Sequence, residues 1–364
     1  MKRNAIVSCL LTLLVVIFFR LPAARSDSDF NGAQPSPSCT PVPSPSPILG
    51  VTLDSVDDLP AIMGALQELA LIRRPTARIV LDENVKLKVY ADAISQIRET
   101  NNLADVMGEI ADSESMHKYA SVKDYQGRVT KYLTALPDVD IWEIGNEVNG
   151  EWVGWKSKQA ERKTPEERKA KRELVGKQVS AAFAIARDRH KKTALTLYYK
   201  GDCTKDCLEL DGRAYDMFNW LNENLNDAGL RACLDYLLVS FYEDDCEVLS
   251  HDPDEDSRRW VEVFKNLSKL FPNSRVGFGE FAPQCKYPEC NYDPHNEESP
   301  QRNRTCPKCI ADQKEFLPRY YRAYDKAIKA EVPAYIGGYF YWYFRQDMPG
   351  KPGLKFLEDA LASP

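Results

Sequence analysis

Asp140-Ile-Trp-Glu-Ile-Gly-Asn146, Thr193-Ala-Leu-Thr-Leu-Tyr-Tyr199 and Leu234-Asp-Tyr-Leu-Leu-Val-Ser-Phe-Tyr242 are three short apolar runs rich in β-branched and aromatic residues. A long charged segment, Thr164 to about Arg189, separates the first two, and its apolar residues gather in its second half. Arg213 to Ala228 separates the second and third. Apolar runs of this length read as strands buried on both faces, and the amphipathic segments between them read as helices. Working outward, the same alternation continues in both directions. Toward the N-terminus the strand-like runs are Ile48–Leu53, Ala77–Asp82 and Ala104–Ile110, each followed by a helical pattern (Leu59–Leu71, Val89–Glu99, Val122–Leu136). Toward the C-terminus a helix at Arg258–Leu270 precedes the run Arg275–Phe281. A helix at Gln313–Lys329 precedes Ala334–Trp342, and a short helix at Leu354–Leu361 ends the series. Strict alternation predicts a parallel sheet covered by helices. Eight strand–helix pairs predict an α/β fold closed as a (β/α)8 TIM barrel in one catalytic domain, residues 48–364. No GxGxxG follows the first strand, which argues against a dinucleotide-binding sheet.

The segments before residue 48 have a different character. Lys2 and Arg3 precede an uncharged run, Ala5 to Phe19, ended by Arg20, and Ala24-Arg25-Ser26 offers small residues for cleavage. This pattern predicts a secretory signal peptide over 1–26. The run is shorter than the roughly 18–20 apolar residues of a spanning helix, so the alternative of a retained anchor is the weaker reading. Residues 27–47 are rich in Ser and Pro, ending Pro41-Val-Pro-Ser-Pro-Ser-Pro47, and read as a disordered linker. An exported chain with 10 cysteines reads first as disulfide-bonded. Cys9 lies in the signal segment and Cys39 in the linker. The others are Cys203, Cys207, Cys233, Cys246, Cys285, Cys290, Cys306 and Cys309. A tetrahedral zinc on Cys285, Cys290, Cys306 and Cys309 is the alternative, since Cys306-Pro-Lys-Cys309 is a CxxC. Asn266-Leu-Ser and Asn303-Arg-Thr are N-glycosylation acceptors in a glycosylating host.

The charge balance, 48 Lys and Arg against 54 Asp and Glu, leaves a net −6 and no basic face for nucleic acid. The Glu/Lys/Arg run from Glu161 to Arg172 reads as a solvated helix face. Nothing calls for a metal or cofactor, no membrane contact is expected beyond the signal segment, and the chain is expected to be a secreted or periplasmic monomer.

In a (β/α)8 barrel the chemistry sits where strands end. The residues at those positions include Asp82, Asp112, Asn146, Glu147, Tyr199, Tyr242, Glu280 and Trp342. Two carboxylic acids stand out, Glu147 closing strand four and Glu280 closing strand seven. A lone strand-end glutamate is usually structural, but a pair facing across a barrel mouth can flank one glycosidic bond, one protonated and one ionised. Glu143 shares the two-residue alternation with Glu147 and reads as a charge inside the barrel. Asp82 and Asp112 read mainly as helix caps. Trp152 and Trp155 are equally suited to stacking on sugar rings and to packing their own loop.

Trp142-Glu-Ile-Gly-Asn-Glu147 resembles the strand-four signature of the large clan of retaining (β/α)8 glycoside hydrolases (clan A), which includes cellulases, β-mannanases, xylanases and β-glucuronidases. Gly277-Phe-Gly-Glu280-Phe resembles its strand-seven signature, and Tyr341-Trp342 its aromatic strand eight. The resemblance implies a carbohydrate substrate and an acid/base role for Glu147. Glu280 would be the nucleophile, Asn146 would bind a sugar 2-hydroxyl, Tyr242 would hydrogen-bond the nucleophile, and Trp342 would form a platform; Tyr199 and Trp152 join them as substrate-binding candidates. Retention would place the two carboxyls about 5–5.5 Å apart, inversion roughly 6.5–9.5 Å. The sequence departs from the clan in its histidines: there are 4, His117, His190, His251 and His295, and none ends a strand. Strand six reads Ser240-Phe-Tyr242 where His-x-Tyr is common. Arg78 looks too early in its run to be the arginine often found near strand two. The clan is therefore assigned without a family. A barrel that binds glycans without cleaving them, or serves as a secreted structural module, is the alternative. An esterase or protease has no GxSxG or Cys/His arrangement to support it.

Overall fold

A computed structural model describes Cys39 and residues 47–100, 102–201, 211–243, 252–291 and 303–362. The expected signal peptide and most of the linker, with Cys9, Cys203, Cys207, Cys246, His251 and His295, lie outside the described residues. The strands are β1 (Ile48–Leu53), β2 (Thr76–Val80), β3 (Asp105–Glu109), β4 (Ile141–Glu143), β5 (Lys192–Tyr198), β6 (Tyr236–Phe241), β7 (Arg275–Phe281) and β8 (Gly337–Tyr341). They pair in sequence order, all in parallel, and β8 returns to β1 to close the barrel. Closure is tight where β7 meets β8. Gly338 sits at φ +92, and a Cβ there would lie 1.9 Å from the Phe278 carbonyl oxygen, so only glycine fits.

The covering helices are α1 (Leu59–Ile72), α2 (Leu87–Glu99), α3 (Val122–Ala135), α4 (Pro165–Asp188), α5 (Met217–Asn224), α6 (Ala228–Cys233), α7 (Pro253–Leu270), α8 (Pro307–Pro318), α9 (Asp325–Glu331), α10 (Phe344–Asp347) and α11 (Pro352–Ala362). Their starts are encoded locally. Thr164 and Glu167 form a reciprocal capping box at α4, with Pro165 in the first turn. Ser121 caps α3 and Asp252 caps α7. Two helices depart from expectation. The single helix expected over Arg213–Ala228 breaks at Leu225, and Asp227 starts α6 by accepting from Leu230 N at 2.9 Å. The Asn224–Asp227 stretch supplies side chains that compete for backbone groups. The helix expected from Gln313 begins at Pro307. Between α8 and α9 it passes through a π-helical turn, Arg319–Tyr324, directly after Pro318, which has no N–H to donate.

The barrel interior is layered. Met107, Ile141, Ala194, Tyr236, Leu238, Ile336 and Phe340 form an apolar floor. Two residues further along their strands the inward positions turn polar: Glu109 follows Met107, Glu143 follows Ile141, and Thr196 follows Ala194, all buried. Outward positions pack against the helices, as in the aromatic cluster of Phe241, Trp260, Phe264 and Phe278.

Three disulfides are formed among the described residues: Cys39–Cys233, Cys285–Cys309 and Cys290–Cys306. The last two overturn the zinc alternative, because all four sulfurs of that cluster are used in S–S bonds and none is left as a thiolate ligand. They staple the loop between β7 and α8. Cys39–Cys233 ties a residue of the proline-rich stretch to the end of α6. No helix among the described residues is long and apolar enough to cross a membrane.

Candidate active site

The regular part of β4 ends at Glu143. Backbone hydrogen bonds to β5 continue beyond it, from Ile144 N to the Ala194 carbonyl and from Thr196 N to the Gly145 carbonyl, before the chain turns at Glu147. Glu147 sits at φ 47, in the left-handed region that a non-glycine residue enters at a cost of about 1–3 kcal/mol. The turn holds itself: Gly150 N donates to Glu147 O at 2.7 Å, and Asn149 Nδ2 donates to the Tyr198 and Tyr215 carbonyls at 2.8 and 3.0 Å. It brings Glu147 over the barrel mouth, toward the end of β6 and the loop after β3.

Glu147 is 7% exposed, and both of its oxygens meet neutral hydroxyl donors. Ser240 Oγ, from β6, donates to Oε1 in a short hydrogen bond. Ser113 Oγ, from the helical turn Ser113–Lys118 after β3, donates to Oε2 at 3.4 Å. Ser113 in turn accepts from Trp152 Nε1 at 3.0 Å. No cation pairs with Glu147 among the described residues. Burial first, and then the charge of Glu280, hold its carboxyl well above the usual range.

Glu280 is 5% exposed, and its surroundings differ in kind. Tyr242 OH donates to Oε1 at 2.5 Å, Asn146 Nδ2 donates to Oε2 at 3.5 Å, and Arg78 Nη1 lies 3.2 Å from Oε2. Burial pushes this carboxyl up to about 7, opposed by the Arg78 charge and the Tyr242 hydroxyl. The same burial and the negative charge of Glu280 push the Tyr242 phenol far up, so it stays a donor. One carboxyl is thus disposed to keep a proton and the other to lose it, the division that acid and nucleophile require.

The arginine at this site is Arg78, against the expectation that it lies too early in its strand. It points inward from the middle of β2. Its side chain outreaches the roughly 3.3 Å rise of one strand residue and so arrives at the mouth from below. Its guanidinium lies 5.7 Å from the centroid of the Trp342 ring, which places that half-buried tryptophan on the Arg78 side of Glu280. Asn146 Oδ1 is buried without a hydrogen-bond partner among the described residues. Glu143 takes the interior role, accepting from Arg78 Nε at 2.7 Å and from Thr196 Oγ1. Asp112 is a cap, accepting from Glu114 N at 2.8 Å.

Of the expected residues, Asn146, Glu147, Tyr242, Glu280 and Trp342 converge on one mouth, and Trp152 joins them through Ser113. Tyr199 does not. It lies on the outward parity of β5, with its ring 6.0 Å from Phe241 and 5.3 Å from Trp260. Tyr198 takes the inward position and meets the Trp152 ring edge-on at 5.1 Å. Two-residue alternation along β6 could have pointed to Ser240 from Tyr242. Ser113 carries no sequence signal, since its place depends on a turn closed by Asp112.

No protein-family profile matches the chain, and no curated protein matches it. Solved structures do. A GH5-4 broad specificity endoglucanase from an uncultured bacterium superimposes with a TM-score of 0.52 at 10% identity, covering 87% of this chain and 94% of that one. A thermostable mutant of a xylanase from Cellvibrio japonicus gives 0.52 at 14% identity, over 87% and 98%. At such identity the likeness is one of fold. The chain shares the closed (β/α)8 barrel fold of these two proteins.

Proposed function

We propose that the protein is a secreted retaining glycoside hydrolase acting on β-linked poly- or oligosaccharide. The observation that carries the reading is the unequal environment of two buried carboxyls closing β4 and β7. In the first step Glu280 attacks the anomeric carbon while Glu147 gives its proton to the departing oxygen. In the second, Glu147 takes a proton from water as that water displaces Glu280. Asn146 Oδ1 is an acceptor without a partner among the described residues, suited to a sugar hydroxyl, and Trp342 offers an apolar ring face to the C–H groups of a pyranose. The likeness to an endoglucanase and a xylanase favours β-linked glucan or xylan as the first substrates to try. Three disulfides among the described residues agree with an oxidising, extracellular setting. A barrel that only binds glycans would need the aromatic residues but neither the proton-holding environment of Glu147 nor the strained turn that presents it.

A mechanism-based fluoro-sugar with an activated leaving group tests the reading directly. The expected result is a stable mass increase on the Glu280 peptide, lost in Glu280→Gln. Labelling elsewhere, or none together with unchanged turnover in Glu280→Gln, overturns it. Product NMR showing the inverted anomer first would overturn the retaining mechanism alone.

A further inference from the structure

Below the catalytic pair lie two buried glutamates, Glu109 and Glu143, that the mechanism does not use. Arg78 is 1% exposed and faces three glutamates: Nε is 2.7 Å from Glu143, Nη2 is 3.0 Å from Glu109, and Nη1 is 3.2 Å from Glu280. Glu109 and Glu143 are sealed from solvent, on adjacent inward positions of β3 and β4. Only the Nε contact has good hydrogen-bond alignment; Nη1, Nη2 and both oxygens of Glu109 lack a hydrogen-bonded partner among the described residues. One guanidinium therefore stands against three carboxyls, two of which are sealed from solvent. Arg128, buried in α3, points its Nε and Nη2 at the Ile110 and Leu81 carbonyls instead. Each buried uncompensated charge costs several kcal/mol, so the cluster cannot hold three anions on one cation.

We infer that Glu109 carries a proton in the folded protein, and that Glu109 and Glu143 are positioning residues that set how much of the Arg78 charge reaches Glu280. The assignment follows from contacts. Glu143 has the aligned Arg78 bond and the Thr196 hydroxyl, and Glu280 has Tyr242, Asn146 and Arg78. Glu109 has one poorly aligned approach and nothing else, so it is the member that gains least by ionising. Burial and its neighbours Glu143, Asp112 and Glu280 push its carboxyl upward against the pull of Arg78. Anchored low by Glu143, Arg78 is shared rather than given wholly to Glu280, which leaves the nucleophile less strongly held as an anion than a private ion pair would. The role of Glu280 as nucleophile rests on the proposed function; the proton on Glu109 does not.

The two parts are tested separately. In full-length protein labelled with 13C at the glutamate side-chain carboxyl, two glutamates should stay protonated at pH 8, Glu147 and Glu109. Glu147→Gln should leave one, which should persist in Glu147→Gln/Glu143→Asp, where the anion is kept but the labelled group is gone, and vanish in Glu147→Gln/Glu109→Gln. No protonated glutamate in Glu147→Gln, or one lost with Glu143, overturns the assignment, and the Glu143 arm decides it even if the Glu109 variant does not fold. No substrate is involved, so this readout stands whether or not the chain cleaves sugars. With an active substrate, Glu143→Gln should release Arg78 to Glu280 and move the acid limb of kcat/KM down by about 1 pH unit, and Glu143→Asp should move it back. A fall in Tm with the acid limb unmoved would show a merely structural role and overturn the tuning.

Discussion

Glu147 and Glu280 have nearly the same exposure, yet their surroundings have almost nothing in common. Glu147 is met by two serine hydroxyls, at the top of a backbone turn in the left-handed region. Glu280 closes a regular strand and is met by a guanidinium, a phenol and an amide. Burial raises both carboxyls, and the partners decide which of them keeps its proton. A hydroxyl can donate to a carboxylate or accept from a carboxylic acid, so serines suit a group that must pass through both states. An arginine stabilises the anion only.

The contrast can be broken most sharply at the acid. Glu147→Gln should lower kcat by about 10²- to 10⁴-fold on substrates with poor leaving groups and far less on activated aryl glycosides, measured in parallel on both. An equal loss on the two would deny Glu147 the proton-donating role. The same variant should change the pH dependence of stability. The carboxyl of Glu147 is raised in the folded state, so the unfolded chain releases its proton first, and stability drains as pH rises from the ordinary carboxylate range toward the folded value. Glu147→Gln should therefore gain Tm over wild type at pH 8 and lose that advantage near pH 4.

At the other pole, Arg78→Met should cost about 3–5 kcal/mol in denaturant unfolding at pH 7, because it leaves Glu143 and Glu280 buried without their cation. The cost should shrink as pH falls and the carboxyls take up protons. A mild, pH-independent loss would mean that Arg78 matters for its bulk. The smallest effect belongs to Ser240. Its hydroxyl favours the ionised form of Glu147, so Ser240→Ala should raise that carboxyl further. The basic limb of the kcat/KM profile, where the acid is lost, should move to higher pH, with kcat reduced about tenfold or less. A limb that moves down would reverse the sign assigned to that contact.

The legible part of this molecule was what repeats. Eight apolar runs alternating with eight amphipathic stretches can bury their surfaces only as a parallel sheet wrapped in helices, and that pattern located both acids at strand ends without coordinates. Asn146, Tyr242 and Trp342 were found the same way, as the last residues of their runs, and the resemblance supplied the roles expected of them. Tyr199 shows the limit of that rule. One residue of register separates it from Tyr198, and the side of the sheet a run's last residue faces depends on where the ladder ends.

What tertiary structure alone decided are contacts made across the barrel. Arg78 reaches Glu280 over a separation of some 200 residues, and Ser113 reaches Glu147 through a turn set by Asp112. The apportioning of protons among Glu109, Glu143, Glu147 and Glu280 also belongs there. A sequence fixes how many carboxyls a chain carries and on which strands. Their charge depends on burial and on the distance to one arginine, and both exist only once the sheet has closed.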